Sequence, residues 1–310
     1  MPVEYRTSHP RLFALVERAQ SLPPLTTAVV FPHDLASLRA AIDATQAGLI
    51  NPVFYGAETR MRALAEQANL SIPGAIIDTG ELPANAARAA VADAASGCLQ
   101  ALMKGSLHTD ELLAPVVARD SPIRSTRRIT HTFLFDLPRY HKLLAVTDAV
   151  VNIAPDVRTK SDAIANSLQL LVALGIAAPK VAILAAVETV TANIPATLDA
   201  AALVALAREG RFGLAMVDGP FGFDNAFSAT AALAKGIASA VAGDADLLVV
   251  PDLNSGNMLY KSFVYVGGGE CAGLVQGARV PIILTSRADS QFSRVASCAL
   301  ACIASSVLPA

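Results

Sequence analysis

The sequence carries little charge and little cysteine. Of its 310 residues, 16% are Asp, Glu, Lys or Arg, and the formal net charge is −2. No run of Lys or Arg occurs, so the charge pattern points to neither nucleic acid nor an anionic membrane surface as partner. The four cysteines, at positions 98, 271, 298 and 302, include no CxxC pair. Cys298 and Cys302 stand one helical turn apart, a spacing natural for a buried helix face. They read as reduced core residues rather than a metal site or disulfide framework. The five histidines show no HxxxH or other ligand spacing, and no metal is expected. His131 alternates with apolar residues and reads as a satisfied core or interface residue. The N-terminal stretch MPVEYRTSHP lacks the apolar core of a secretory signal. The longest apolar stretch, Leu170 to Val187, is interrupted by Gly175, Pro179 and Lys180. It therefore reads as a helix end, a turn and a buried strand rather than a membrane span. A soluble, cytoplasmic protein is expected.

What the sequence has is apolar mass. With 53% hydrophobic residues it can bury a large core, and its length exceeds the usual ~100–200 residues of one domain. Strand and helix patterns alternate along it. Thr27–Phe31 reads as a strand, and Asp34 caps a helix to Ala47 with Gly48 just past its end. Pro52–Tyr55 and Ile76–Ile77 are further strands, Pro83 opens a helix, and Cys98–Met103 is a strand delivering Lys104-Gly105-Ser106 to a loop. Such alternation predicts a parallel sheet covered on both faces. Between Ser121 and Asp148 the rhythm changes to two consecutive strands around Leu-Pro-Arg-Tyr-His. This crossing is read as a boundary between two α/β domains, 1–139 plus 277–310 and 140–276. The final helix is expected at about 288–305.

The polar residues concentrate at strand-to-helix junctions, where ligands bind in open α/β sheets and helix N-termini favour anions. After the strand ending at Val250 come Asp252, Asn254, Ser255, Gly256 and Asn257, with Lys261 one turn later. After Ile282–Leu284 come Ser286, Arg287 and Asp289. Ser286 and Asp289 also match a capping box, with Ser286 as N-cap and Asp289 at N3, while a guanidinium at Arg287 suits a two-pronged grip on phosphate. Asn254 or Ser255 could cap the earlier helix. Thr147-Asp148 with Asn152 forms either an Asx turn or a lining of the site. Lys104, Ser106, His108 and Thr109 form a polar loop, in which Thr109 could cap the helix from Asp110. G-N-M-L-Y-K-S lacks both glycines of a P-loop, which argues against ATP by that route.

These residues carry a resemblance. P-D-L-N-S-G-N-x-x-Y-K followed by L-T-S-R-A-D-S, with M-K-G-S-L-H-T, T-D-A-V-V-N-I-A-P-D and V-D-G-P-F-G-F-D-N-A upstream, is similar to the phosphate acyltransferases, the phosphotransacetylases and phosphate butyryltransferases. The resemblance spans roughly residues 95–300. It implies transfer of an acetyl or butyryl group between coenzyme A and inorganic phosphate. It also implies two three-layer αβα domains with an inter-domain cleft, like isocitrate and isopropylmalate dehydrogenases, and a homodimer. Ser286, Arg287 and Asp289 would then be catalytic: Arg287 on phosphate, Ser286 on the carbonyl or intermediate, Asp289 as base. Asp148, Asn152, Asp252, Asn254, Asn257, Lys261, Lys104, Ser106, His108 and Thr109 would bind substrate. Coenzyme A is a substrate here, and no cofactor is implied. Two departures, Ser293 at the acetyl branch's acidic position and Phe-Val-Tyr265 where an Arg is usual, lean toward the butyryltransferase branch. The alternatives are a non-catalytic binder of coenzyme A or acyl phosphate, and a decarboxylating dehydrogenase. For the last, no clustered pair of aspartates is found.

Overall fold

The computed structural model describes residues 4–285 and 289–306. In chain order its elements are α1 (Glu4–Ser8), α2 (Pro10–Ala19), β1 (Leu25–Val30), α3 (Leu35–Gln46), β2 (Ile50–Gly56), α4 (Glu58–Gln67), β3 (Ala75–Asp78), α5 (Pro83–Ala95), β4 (Ala101–Lys104) and α6 (Thr109–Val117). There follow β5 (Thr130–Asp136), β6 (Leu144–Thr147), α7 (Val157–Ala173), β7 (Lys180–Leu184), α8 (Pro195–Arg208), β8 (Met216–Phe221), α9 (Phe223–Phe227) and α10 (Ala229–Ala234). The last are β9 (Leu247–Val249), α11 (Leu253–Tyr265), β10 (Glu270–Gln276), β11 (Ile282–Ile283) and α12 (Gln291–Ser305). This is a mixed α/β chain whose strands pair mostly in parallel. Among the described residues no helix is long and apolar enough to cross a membrane. The apolar stretch from Leu170 becomes the end of α7, a turn and the fully buried strand β7.

Two compact units divide the chain. The first takes residues 13–127 and 272–310 with the first seven; the second takes 128–271 with residues 8–12. The change falls before β5, so the antiparallel β5–β6 hairpin stays whole.

In the first unit the strand order is β3-β2-β1-β4-β11, all parallel, with β10 antiparallel against β11. Asp34 caps α3 as its sequence position predicts, accepting from Ser37 N at 2.7 Å, a contact of about 1 kcal/mol. α12 buries a nearly continuous face from Phe292 to Ala304, and Tyr5 stacks on Phe292 at 4.4 Å between ring centroids.

In the second unit the order is β5-β6-β9-β7-β8, with β6, β9, β7 and β8 parallel. Alternate residues of β5 face opposite ways, as the pleat requires. Thr130 and Thr132 meet Asn166 and Ser167 of α7, while Phe133 and Phe135 pack against Tyr260 and Phe263 of α11. The sheet is therefore covered on both faces. Buried Asp136 accepts from Arg11 N, Leu12 N and Arg11 Nη1 at 2.7–3.1 Å, which ties residues 8–12 to this unit. At the amino ends of β6, β7 and β9, Lys142, Lys180, Asp244 and Asp246 form one ion cluster. Asp246 Oδ2 also accepts from Lys180 N at 2.7 Å. Partial burial pushes Asp244 upward, but Lys180, Lys142 and His141 outweigh it and hold the carboxyl well below the usual range.

Between β8 and β9 lie two short helices, α9 and α10, broken at Ser228, whose side chain accepts from Ala231 N.

Candidate active site

In the first unit the chain leaves β1 for β2 and β3 on one side, and β4 enters on the other. The crevice outside the carboxyl ends of β1 and β4 is thus a topological switch point, where open α/β sheets bind ligands. A small, open cleft lies there, lined among others by Asp34, Ser37, Lys104, Gly105, Thr285 and Arg294. The β4 loop is laid directly on the end of β1. Gly105 N donates to Val30 O and Ser106 N to Phe31 O, each at 2.9 Å. A Cβ on Gly105 would stand 2.4 Å from Val30 O and 2.6 Å from Phe31 O, so only glycine allows this approach. Lys104 is 8% exposed, and its Nζ donates to Gly105 O and Leu107 O at 3.2 and 3.1 Å. Ser106 Oγ donates to Phe31 O at 2.8 Å and accepts from His33 N at 3.1 Å. The cap of α6 differs from expectation. His108, not Thr109, holds the N-cap position, its N–H donating to Glu111 Oε2 at 2.7 Å, and Thr109 is the first helical residue.

The second unit gathers the other predicted residues at the carboxyl ends of β6 and β9. Asp148 is 3% exposed. Its Oδ1 accepts from Val150 N and Val151 N, both at 3.0 Å, and its Oδ2 from Asn152 N at 3.2 Å and Asn152 Nδ2 at 2.6 Å. Burial pushes its pKa up, against these hydrogen bonds. Asp148 therefore shapes the loop through an Asx-type turn, and Asn152 braces it, Nδ2 also donating to Ile129 O at 2.9 Å. Asp252 caps α11, accepting from Ser255 N at 2.9 Å. Neither Asn254 nor Ser255 is the cap: Asp252 precedes them, and its carboxylate reaches the helical amide first. The two clusters meet, since Leu253 N donates to Ile153 O at 3.1 Å. A Cβ on Gly256 would meet Ala149 Cα and Cβ at 2.9 Å. Asn254 and Lys261 are exposed and Asn257 is half-buried.

Ser286 and Arg287 lie outside the described residues. Asp289 is half-buried. The N-cap of α12 is Ser290, which accepts from Ser293 N at 2.9 Å, so Asp289 precedes the cap and is not at N3. Ser293 is buried in the first turn.

Three features were not foreseen. Arg294 lines the first unit's cleft, its Nη1 donating to Ala36 O of α3 at 2.9 Å. On β5, His131 is fully buried, yet neither ring nitrogen has a hydrogen-bond partner. It is a core residue as expected, but not a satisfied one. It sits one position beyond the Thr132–Thr147 pair, beside the start of the Asp148 loop. Finally, Glu188 after β7 binds Asn225 Nδ2 and, at 2.7 Å, Lys235 Nζ, which also reaches Asp224 at 3.1 Å. Among the described residues no group of three or more His, Cys, Asp or Glu could hold a metal ion.

Comparison with known proteins supplies the family. The family described as phosphate acetyl/butaryl transferase matches residues 78–302. The chain belongs to this family. Among similar members, a phosphate acetyltransferase of Rhizobium meliloti is 47% identical over 93% of this chain and 92% of its own length. A phosphate butyryltransferase of Clostridium beijerinckii is 34% identical over 93% and 96%. A crystal structure of a branched-chain phosphotransacylase from Enterococcus faecalis V583 superimposes with TM-score 0.79 at 27% identity, covering 91% of this chain and 99% of that one. The family match contains the β4 loop, the loops after β6 and β9 and the first turns of α12, but not the turn after β1 on which the β4 loop is laid.

Proposed function

We propose that this chain moves a short-chain acyl group, acetyl or butyryl, reversibly between coenzyme A and inorganic phosphate. The observation that carries the reading is the 47% identity to a phosphate acetyltransferase over nearly the whole length of both chains. In the direction of thioester synthesis the coenzyme A thiolate attacks the acyl carbon of the acyl phosphate. The C–S bond forms, the carbonyl oxygen takes the charge, and the collapsing intermediate expels phosphate. The thiol proton passes to a base. A thiolate is nucleophile enough for this step, so the reading needs neither prosthetic group nor metal, and coenzyme A enters as substrate.

In this assignment Arg287 holds phosphate, the Ser286 hydroxyl supports the oxyanion, and Asp289 accepts the proton. Lys104, with the loop through Ser106, His108 and Thr109, belongs to the substrate cleft of the first domain. Asn254, Asn257 and Lys261 reach substrate from the second, with Asp148, Asn152 and Asp252 holding their loops. On this reading each unit is a three-layer αβα domain, and the working form is a cytoplasmic homodimer. Sedimentation at the mass of one chain would refute the dimer. The greater identity is to relatives named for acetyl transfer, whereas Ser293 departs from the acetyl-branch pattern.

The test is thiol release from acetyl-CoA and butyryl-CoA, each with and without phosphate. Phosphate-dependent release establishes the reaction, and the rate ratio gives the acyl preference. Coenzyme A binding with no release from either thioester refutes it. Full turnover in an Asp289→Asn variant would remove Asp289 as the base.

A further inference from the structure

We infer that the exposed side chain of Ile153 packs against the uncharged part of the thioester substrate, at a second switch point between β6 and β9. This deepens the acyltransferase reading and rests on it. Topology gives the place. β6 and β9 are adjacent and parallel. The helix after β6 is α7, on the face of Thr130 and Thr132, and the helix after β9 is α11, on the face of Phe133 and Phe135. Neighbouring parallel strands that send their helices to opposite faces leave a crevice outside their carboxyl ends. Ile153 stands at this crevice. It belongs to the loop that leaves β6, and its carbonyl accepts from the N–H of Leu253, the first residue of α11, at 3.1 Å.

The loop is braced, yet it does not bury this side chain. Asp148 accepts from the backbone of Val150, Val151 and Asn152 and from Asn152 Nδ2, which also donates to Ile129 O. Ile153 itself is 72% exposed. An aliphatic side chain held out on a braced backbone can bury its surface against a ligand at little cost in ordering the loop. Its neighbours share the character. Asn254 and Met258 lie one turn apart on the exposed side of α11, Met258 being 63% exposed, and Lys261 follows a turn later. The carboxylates of Asp148 and Asp252 are turned to backbone amides, that of Asp252 to Ser255 N at 2.9 Å. Apolar side chains beside an amide suit a flexible chain of methylenes and amides better than a phosphate. The acyl chain and the pantetheine arm of a thioester both have that chemistry.

The experiment measures phosphorolysis of acetyl-CoA and butyryl-CoA in the full-length protein, wild type against Ile153→Ala and Ile153→Asp. Because the side chain is exposed, both variants should melt within about two degrees of wild type. Ile153→Ala is expected to raise KM for butyryl-CoA about fivefold and Ile153→Asp to raise it further, with KM for phosphate changed less than about twofold. A smaller rise for acetyl-CoA assigns the contact to the acyl chain, and an equal rise assigns it to the pantetheine arm. Unchanged KM for both thioesters overturns the inference, as does a rise confined to KM for phosphate. A change in sedimentation with KM unchanged also overturns it and gives the side chain to a second copy of the protein. Thermal shift with butyryl-CoA, in the absence of phosphate, is a readout independent of turnover. Butyryl-CoA should stabilise the wild type, and do so less in Ile153→Asp. Equal shifts in the two overturn the inference even in a protein that shows no phosphorolysis. Absence of phosphorolysis in the wild type, by contrast, refutes the acyltransferase reading.

Discussion

Replacing His131 by phenylalanine should stabilise the second unit, and more so in acid. The imidazole is fully buried, and neither nitrogen meets a hydrogen-bond partner. One of them must carry a proton in the neutral ring, so a donor is left unmatched in the core, at a cost of about 1–3 kcal/mol. A phenyl ring has nearly the same shape and sits beside Phe133, whose ring centroid lies 4.3 Å from that of His131. The acid effect follows from linkage. Burial lowers the pKa of His131 from 6.5 to about 3. Between those values the unfolded chain binds a proton that the folded chain refuses. Stability contributed by the neutral ring is therefore complete above about pH 7 and is lost as pH falls through 6.5. At pH 5 the loss amounts to about 2 kcal/mol, taking ~1.36 kcal/mol per pH unit. His131→Phe removes this slope and leaves every other titration in place. The sequence contains no tryptophan, so urea unfolding is best followed by far-ultraviolet circular dichroism. The advantage of the variant should be about 1–2 kcal/mol at pH 7.5 and about 2 kcal/mol larger at pH 5. Parallel stability curves for the two proteins would refute the reasoning.

Gly105→Ala should lower stability by about 2 kcal/mol or more, because its Cβ must displace the backbone at Val30 or Phe31. A melt within one degree of wild type would show that the β4 loop adapts freely. Asp148→Asn should cost about 2–3 kcal/mol, since one carboxylate oxygen that accepts two N–H groups becomes an amide donor facing them. Urea midpoints and thiol-release rates measured together test this, and unchanged values for both would remove Asp148 as the organiser of its loop.

The fold was legible where local chemistry and burial agree. Asp34 before an apolar period, Pro83 at a helix start and the continuous apolar run of Leu247–Val249 each announce their element, and each forms as written. Caps were harder, because several residues competed within one turn. Asp252 outranks Asn254, His108 precedes Thr109, and Ser290 takes the place assigned to Ser286. Which polar residue lands one turn from a free amide depends on where the strand stops, and that is set by neighbouring strands. The clusters at 148–152 and 252–257 could be named from sequence, but their meeting through Leu253 and Ile153 could not. β9 enters the sheet beside β6, and sequence spacing does not record strand order. Arg294 was invisible for the same reason. On a helix it looks like a solvated side chain until α3 is placed beside it.

The ion cluster of Lys142, Lys180, Asp244 and Asp246 lies at the amino ends of β6, β7 and β9, whereas the polar loops leave from their carboxyl ends. In the proposed assignment, register and recognition are thus written at opposite edges of one sheet. A loop at the recognition edge can lengthen, shrink or change its side chains while the clamp at the far edge keeps the strands aligned. Inheritance can then tune acyl preference in small steps, without each step having to rediscover the fold.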